Sequence, residues 1–244
     1  MPTQLLFYKQ AIPISKELHG GLSIDTKQDY SFASQVNSVP LTATEFPNAA
    51  RDYVIVFAGQ EAPMPAAILG VQQDQNIFVS DDGRWEGRYI PAFVRRYPFV
   101  FSSNEESSTF TLCIDKEFQG LNDDDRGEKL FDEEGEKTSY LDKMLNFLSE
   151  YQVQFQRTQS FCEKLKELDL LETMQAHISL PGGSQQSLTG FQVINRDRLK
   201  ALDGDKLAEL AKTDELELAY LHLQSLNNFS VMVERADKGS IRSN

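Results

Sequence analysis

Leu141, Leu145, Leu148, Phe155, Cys162 and Leu165 recur at three- and four-residue spacing, with Gln152 and Gln159 filling the gaps. No other feature constrains the fold as strongly, because such a stripe belongs to one face of an α-helix. It predicts a helix of about 30 residues, ~45 Å long, running from Ser139 to near Leu171.

Ahead of it the signal is of strands. Tyr53, Val54, Ile55, Val56 and Phe57 form an unbroken β-branched and aromatic run, suited to a strand buried on both faces. Segments 65–70 and 76–79 predict two more, joined by the polar turn 72–75, and 99–101 predicts an antiparallel partner for 108–114. Thr42 with Glu45 three residues on is a capping-box pattern, with Pro47 in the first turn, and predicts a short helix over 43–51. Pro91 and Pro98 bracket another over 92–96. The first 35 residues are hard to assign, since Pro13 and Gly20-Gly21 interrupt short apolar runs, with 5–8 a candidate strand.

Beyond the long helix, 174–180 and 188–193 predict a hairpin turning at Pro181-Gly182-Gly183-Ser184. Segments 197–202, 205–211 and 215–226 then predict helices. The last has Leu216, Ala219, Leu223 and Leu226 on one face, widened by Leu218 and Leu221, and the chain is expected to fray from Asp237. The fold class expected is α+β: a mixed or antiparallel sheet in the N-terminal half with short helices, one long helix, and a helical C-terminal region packed against it. By parts, 1–120 is β-rich, 121–137 is an acidic loop and 138–244 is helix-rich, within one continuous domain.

A formal net charge of −13 restricts the partners. Nucleic-acid binding draws most of its affinity from neutralising phosphates with Lys and Arg, so DNA, RNA and anionic membranes are disfavoured. The apolar runs 53–59 and 65–71 fall well short of the ~20 residues of a membrane span. Residues 1–10 lack the pattern of a secretory signal, so the cytoplasm is the expected compartment. Cys113 and Cys162 suggest buried free thiols. His19, His177 and His222 lie in no metal-binding frame, and neither a phosphate loop nor a nucleophile elbow occurs. Segment 122–133 places Asn122, Asp124, Gly127 and Glu133 at positions of a calcium loop. Arg126 falls where an oxygen ligand belongs, so a solvated loop is expected. No metal or cofactor is implied.

Against this acidic background one stretch, 81–101, concentrates positive charge and rings. It contains the only tryptophan, Trp85, together with Arg84, Arg88, Arg95, Arg96, Tyr89 and Tyr97. In one reading the arginines pair with acids such as Asp81, Asp82 and Asp115 while Trp85, Tyr89, Phe93 and Tyr97 fill a core. In the other, Arg84, Trp85, Arg88, Tyr89, Arg95, Arg96 and Tyr97 form a ligand-binding surface, the rings stacking and the guanidiniums holding an anion. An enzyme with a site assembled in space, using Asp82, Asp115 or Cys113, is a further alternative, and its catalytic residues are unknown.

The strings VPLTATEFPNAARDYVIVF (39–57), NIFVSDDGRWEGRYIPAFVRRYPFVF (76–101), LCID (112–115), KLFDEEGE (129–136) and GFQVINRDRLKALDGDKLAELAKTDELELAYLHLQSLNNF (190–229) resemble the SapC family of bacterial proteins, over essentially the whole chain. The central GRW…RYIPAFVRRYPF is the most specific part. The resemblance implies a protein associated with outer-membrane receptor and flavin-halogenase-like genes, and brings neither a reaction nor a catalytic residue. The function expected is an accessory or binding protein acting on a protein partner or a small anionic or carbohydrate-like ligand through 84–97. The alternatives are an enzyme of that associated pathway and a structural subunit of a larger assembly or homo-oligomer.

Overall fold

The computed structural model describes residues 5–27, 29–104, 107–179 and 185–242, and only the backbone at 103, 104, 107–109, 179, 185 and 236–242. The expected turn at Pro181-Gly182-Gly183-Ser184 lies outside the described residues.

In chain order the first elements are strand β1 (Ala11–Pro13), helix α1 (Lys16–His19), β2 (Ser23–Ile24) and β3 (Ser38–Pro40). A 3-10 turn at Ala43–Glu45 leads into α2 (Phe46–Ala49), followed by β4 (Val54–Ala58), β5 (Met64–Ile68) and α3 (Ala92–Arg95). Next come β6 (Phe99–Asn104), β7 (Ser107–Asp115), β8 (Leu121–Asn122), β9 (Glu128–Lys129) and the long helix α4 (Ser139–Glu167). The chain closes with β10 (Leu171–Ser179), β11 (Gln185–Ile194), α5 (Arg196–Lys200), α6 (Gly204–Lys212), α7 (Glu215–Ser225) and α8 (Asn228–Arg242). The strands pair antiparallel throughout, and the protein is α+β.

The contacts divide the chain into two compact units, Met1–Asp29 with Val94–Gln152 and Tyr30–Phe93 with Val153–Asn244. In the first, β7 lies between β1 and β6, and a smaller sheet has the order β8-β2-β9. Ile24, Phe99, Ile114, Leu130, Phe131, Leu141 and Leu148 form its core. The strand at the chain's start is Ala11–Pro13 rather than 5–8. Pro13 is compatible with it because β1 is an edge strand, where a missing N–H breaks no ladder. The calcium-like pattern has a structural explanation. The Asn122 side chain accepts from the amides of Asp124 and Arg126, and Gly127 (φ +86°) runs so close to the Ile24 carbonyl that no Cβ fits.

The second unit has a sheet of order β10-β11-β4-β5-β3. Tyr53 through Phe57 are at most 1% exposed, which agrees with a strand covered on both faces. Val54 and Val56 pack with Ala66, Ile68, Phe191, Val193 and Met232 of α8. On the other side Phe57 meets Phe161 and His222. Burying a side chain of this size stabilises by about 2–3 kcal/mol. Because β11 pairs with β4, the sheet draws on both halves of the chain.

Two expectations change. Segment 76–79 forms no strand. The Asn76 carboxamide captures the Phe78 amide at 2.9 Å, and Val79 makes only a single bridge, to Trp85. The chain end is helical to Arg242, with Asn228 Nδ2 donating to the carbonyls of Ala50 (2.9 Å) and Tyr53 (2.8 Å). Among the described residues no helix is long and apolar enough to cross a membrane.

Candidate functional site

Within the second unit the arginine-aromatic segment is built around Tyr53. Just ahead of β4, its buried hydroxyl donates to the Tyr89 carbonyl and accepts from Trp85 Nε1 at 2.9 Å. Burial pushes this phenol's pKa up, so it remains a neutral donor. Trp85 Nε1 also reaches the Tyr89 carbonyl at 3.2 Å, so the indole N–H is engaged internally. Gly87 passes between them. A Cβ there would sit 2.5 Å from the Tyr53 hydroxyl and 2.8 Å from Trp85 Nε1, so only glycine allows this approach.

Rings brace the indole. Phe78 stacks on it (centroids 6.4 Å, planes 16° apart), Tyr30 meets it edge-on at 5.8 Å, and Tyr53 meets Phe78 edge-on at 4.7 Å. The backbone is fixed as well. The Arg88 amide donates to Asp52 Oδ2 at 2.6 Å, and the Tyr30 amide to the Gly83 carbonyl at 2.8 Å.

Tyr89 is held from its far end. Its hydroxyl donates to Glu45 Oε1 at 2.9 Å, and the same oxygen takes the Ala92 amide at 2.7 Å. The other oxygen accepts the Thr42 amide (2.7 Å) and hydroxyl (2.9 Å), closing the expected capping box. Glu45, 5% exposed, is therefore a buried carboxylate with four donors, and it ties the turn before α2 to the segment before α3.

The arginines of the segment have different surroundings. Arg84, exposed, pairs with Asp82 at 2.7 Å. The exposed Arg88 side chain is in no ion pair among the described residues. Arg95, Arg96 and Tyr97 belong to the first unit. There Arg95 is exposed and lies over the Phe147 ring at 5.2 Å. Arg96 is 7% exposed and lies against the rings of Tyr151 (5.3 Å) and Tyr8 (5.9 Å). Tyr97 donates to Asp115 Oδ2 at 3.3 Å, and burial followed by that carboxylate's charge pushes its phenol up.

Asp115 and Cys113 are occupied structurally. Asp115, fully buried, accepts from the amides of Lys9, Gln10 and Glu117 besides Tyr97. Burial raises the Cys113 thiol above its ordinary pKa, opposite to what a thiolate nucleophile requires.

Asp52, Tyr53 and Tyr30 took no part in the sequence-based site, and neither did Arg235 of α8, whose guanidinium lies 4.9 Å from the Phe78 centroid. Tyr53 is hidden inside a strand signal, and Arg235 lies some 150 positions along the chain from Trp85.

No curated protein and no solved structure matches the chain. A family model, SapC, matches residues 14–232, nearly the whole length. This chain belongs to the SapC family.

Proposed function

We propose that this SapC-family protein is a binding or accessory protein that grips an anionic ligand, small or carried by a protein partner, at the surface formed by Arg84, Trp85, Arg88 and Tyr89. The observation that carries this reading is the contrast at Arg88. Its backbone is pinned by Asp52 and its neighbours are locked by Tyr53 and Glu45, yet its own guanidinium faces solvent with no ion pair among the described residues. A cation on a rigid support loses little freedom when it binds, which favours affinity. Arg96 and Tyr97 are taken as packing groups of the first unit, given their ring and carboxylate contacts. Arg95 is taken the same way, given its place over Phe147.

Trp85 is the only tryptophan, so its emission reports on this surface alone. Titration with glucuronate is expected to give a saturable change that equal concentrations of glucose do not. Arg88→Ala should weaken it tenfold or more, the usual scale of a lost charge-assisted hydrogen bond, with an unchanged melting temperature. Equal responses to glucuronate and glucose, or full binding by Arg88→Ala, would count against the reading.

A further inference from the structure

We infer that Arg235, from helix α8, completes the anion site, and that the ligand class is a carboxylate carried on a six-membered ring. This inference rests on the reading of the surface at 84–89 as a binding site.

Arg235 and the segment around Arg88 converge on Tyr53. The guanidinium of Arg235 lies over the Phe78 ring at 4.9 Å, and Phe78 is in contact with both Tyr53 (4.7 Å) and Trp85 (6.4 Å). Its positive charge acts on the Tyr53 hydroxyl, drawing the phenol's pKa down against the burial that raises it. Gly87, next to Arg88, approaches that same hydroxyl so closely that a Cβ there would lie 2.5 Å from it. Asp52, whose carboxylate holds the Arg88 amide, is felt there too.

Arg235 is half-buried and, among the described residues, takes part in no ion pair. Arg84 is already paired with Asp82. A guanidinium stacked on a ring uses its face and leaves its N–H edge free for a bidentate carboxylate. Arg235 therefore offers donors without acceptors above Phe78, the ring that stacks on Trp85, and Arg88 offers them from the segment whose backbone Asp52 and Tyr53 hold. Those rings set the rest of the ligand. Because Trp85 Nε1 is held by Tyr53 and Tyr89, the indole contributes only its hydrocarbon surface. A flat or pyranose ring placed there buries apolar area, while its carboxylate meets the two guanidiniums.

The test is a Trp85 emission titration with glucuronate and benzoate on the wild type, Arg88→Ala, Arg235→Gln and Arg235→Lys, with acetate as the ringless comparison. The wild type is expected to bind a ring carboxylate at least tenfold more tightly than acetate. Saturation by glucuronate alone identifies a sugar acid, and by benzoate alone an aromatic acid. Arg235→Gln should lose tenfold or more, and Arg235→Lys should recover only part of it, because a lysine supplies the charge without the fork. Unchanged melting temperatures separate this from a packing defect. If Arg88→Ala loses binding while Arg235→Gln keeps it, the role of Arg235 is wrong and the site at 84–89 stands. If acetate binds as tightly as the ring acids, the ligand class is wrong. A Trp85 signal that no anion moves overturns both proposals.

Discussion

The hydroxyl of Tyr53 accepts from Trp85 and donates to the Tyr89 carbonyl, so one buried atom sets the position of two rings of the candidate surface. Tyr53→Phe removes that atom and leaves those partners with each other alone. It should cost about 1–3 kcal/mol, the price of leaving buried polar groups poorly paired. In urea denaturation this would appear as a lower midpoint at constant slope, accompanied by a shift in native-state Trp85 emission. Gly87→Ala attacks the same point sterically, since the new methyl would meet the phenol oxygen and the indole nitrogen. About 1–3 kcal/mol is expected from this overpacking, again with altered emission. Wild-type stability and emission in Gly87→Ala would mean the close approach does not exist in solution. At this scale the sequence groups Arg84, Trp85, Arg88, Tyr89, Arg95, Arg96 and Tyr97 as one candidate surface, because a cluster of rings and cations stands out in a chain of net charge −13. It could not separate exposed Arg88 from buried Arg96, since both lie in the same run and differ only in what other segments bring to them.

Local elements were legible where one periodicity governs them. The stripe of α4 holds at Leu141, Leu148, Cys162 and Leu165, at most 2% exposed, whereas Leu145 and Phe155 are half-buried. Its gaps are filled differently from expectation: Tyr151, Thr158 and Phe161 are buried in the helix. Thr158 is there to accept the Ala43 amide at 2.8 Å, a donor at the start of the 3-10 turn that no intrahelical carbonyl reaches. The capping box was readable for the same reason that it forms, its two partners being three residues apart. What the spacing does not reveal is the second use of Glu45, because Tyr89 and Ala92 arrive from more than 40 positions away. Glu45→Ala should therefore exceed the usual ~1 kcal/mol of a lost cap. With four donors left without their acceptor, a loss of about 3 kcal/mol or more is expected. Thermal unfolding measures it, and a loss of 1 kcal/mol or less would show that Tyr89 is held by other contacts.

For the molecule as a whole, α7 introduces a pH dependence. His222 is fully buried against Phe57 and accepts the Ile194 amide at 3.0 Å through Nε2. Burial holds its pKa down at about 3, against about 6.5 in an unfolded chain. The folded protein thus keeps the imidazole neutral while the unfolded chain takes up a proton. The stability this group contributes is complete above pH 6.5 and is lost as the pH falls toward 3, by about 1.4 kcal/mol per pH unit at most. His222→Gln, which retains an acceptor without a titrating ring, should flatten the difference in stability between pH 6.5 and pH 4 relative to the wild type. Parallel profiles for the two proteins would show that His222 is not held neutral.

The central claim is that a fixed set of rings around Tyr53 presents Arg88 to an anion, and the emission of Trp85 under glucuronate tests it most directly. The account predicts a saturable change that glucose does not reproduce, at least tenfold weaker in Arg88→Ala at an unchanged melting temperature. A Trp85 spectrum indifferent to glucuronate, or an Arg88→Ala variant that binds as the wild type does, contradicts it.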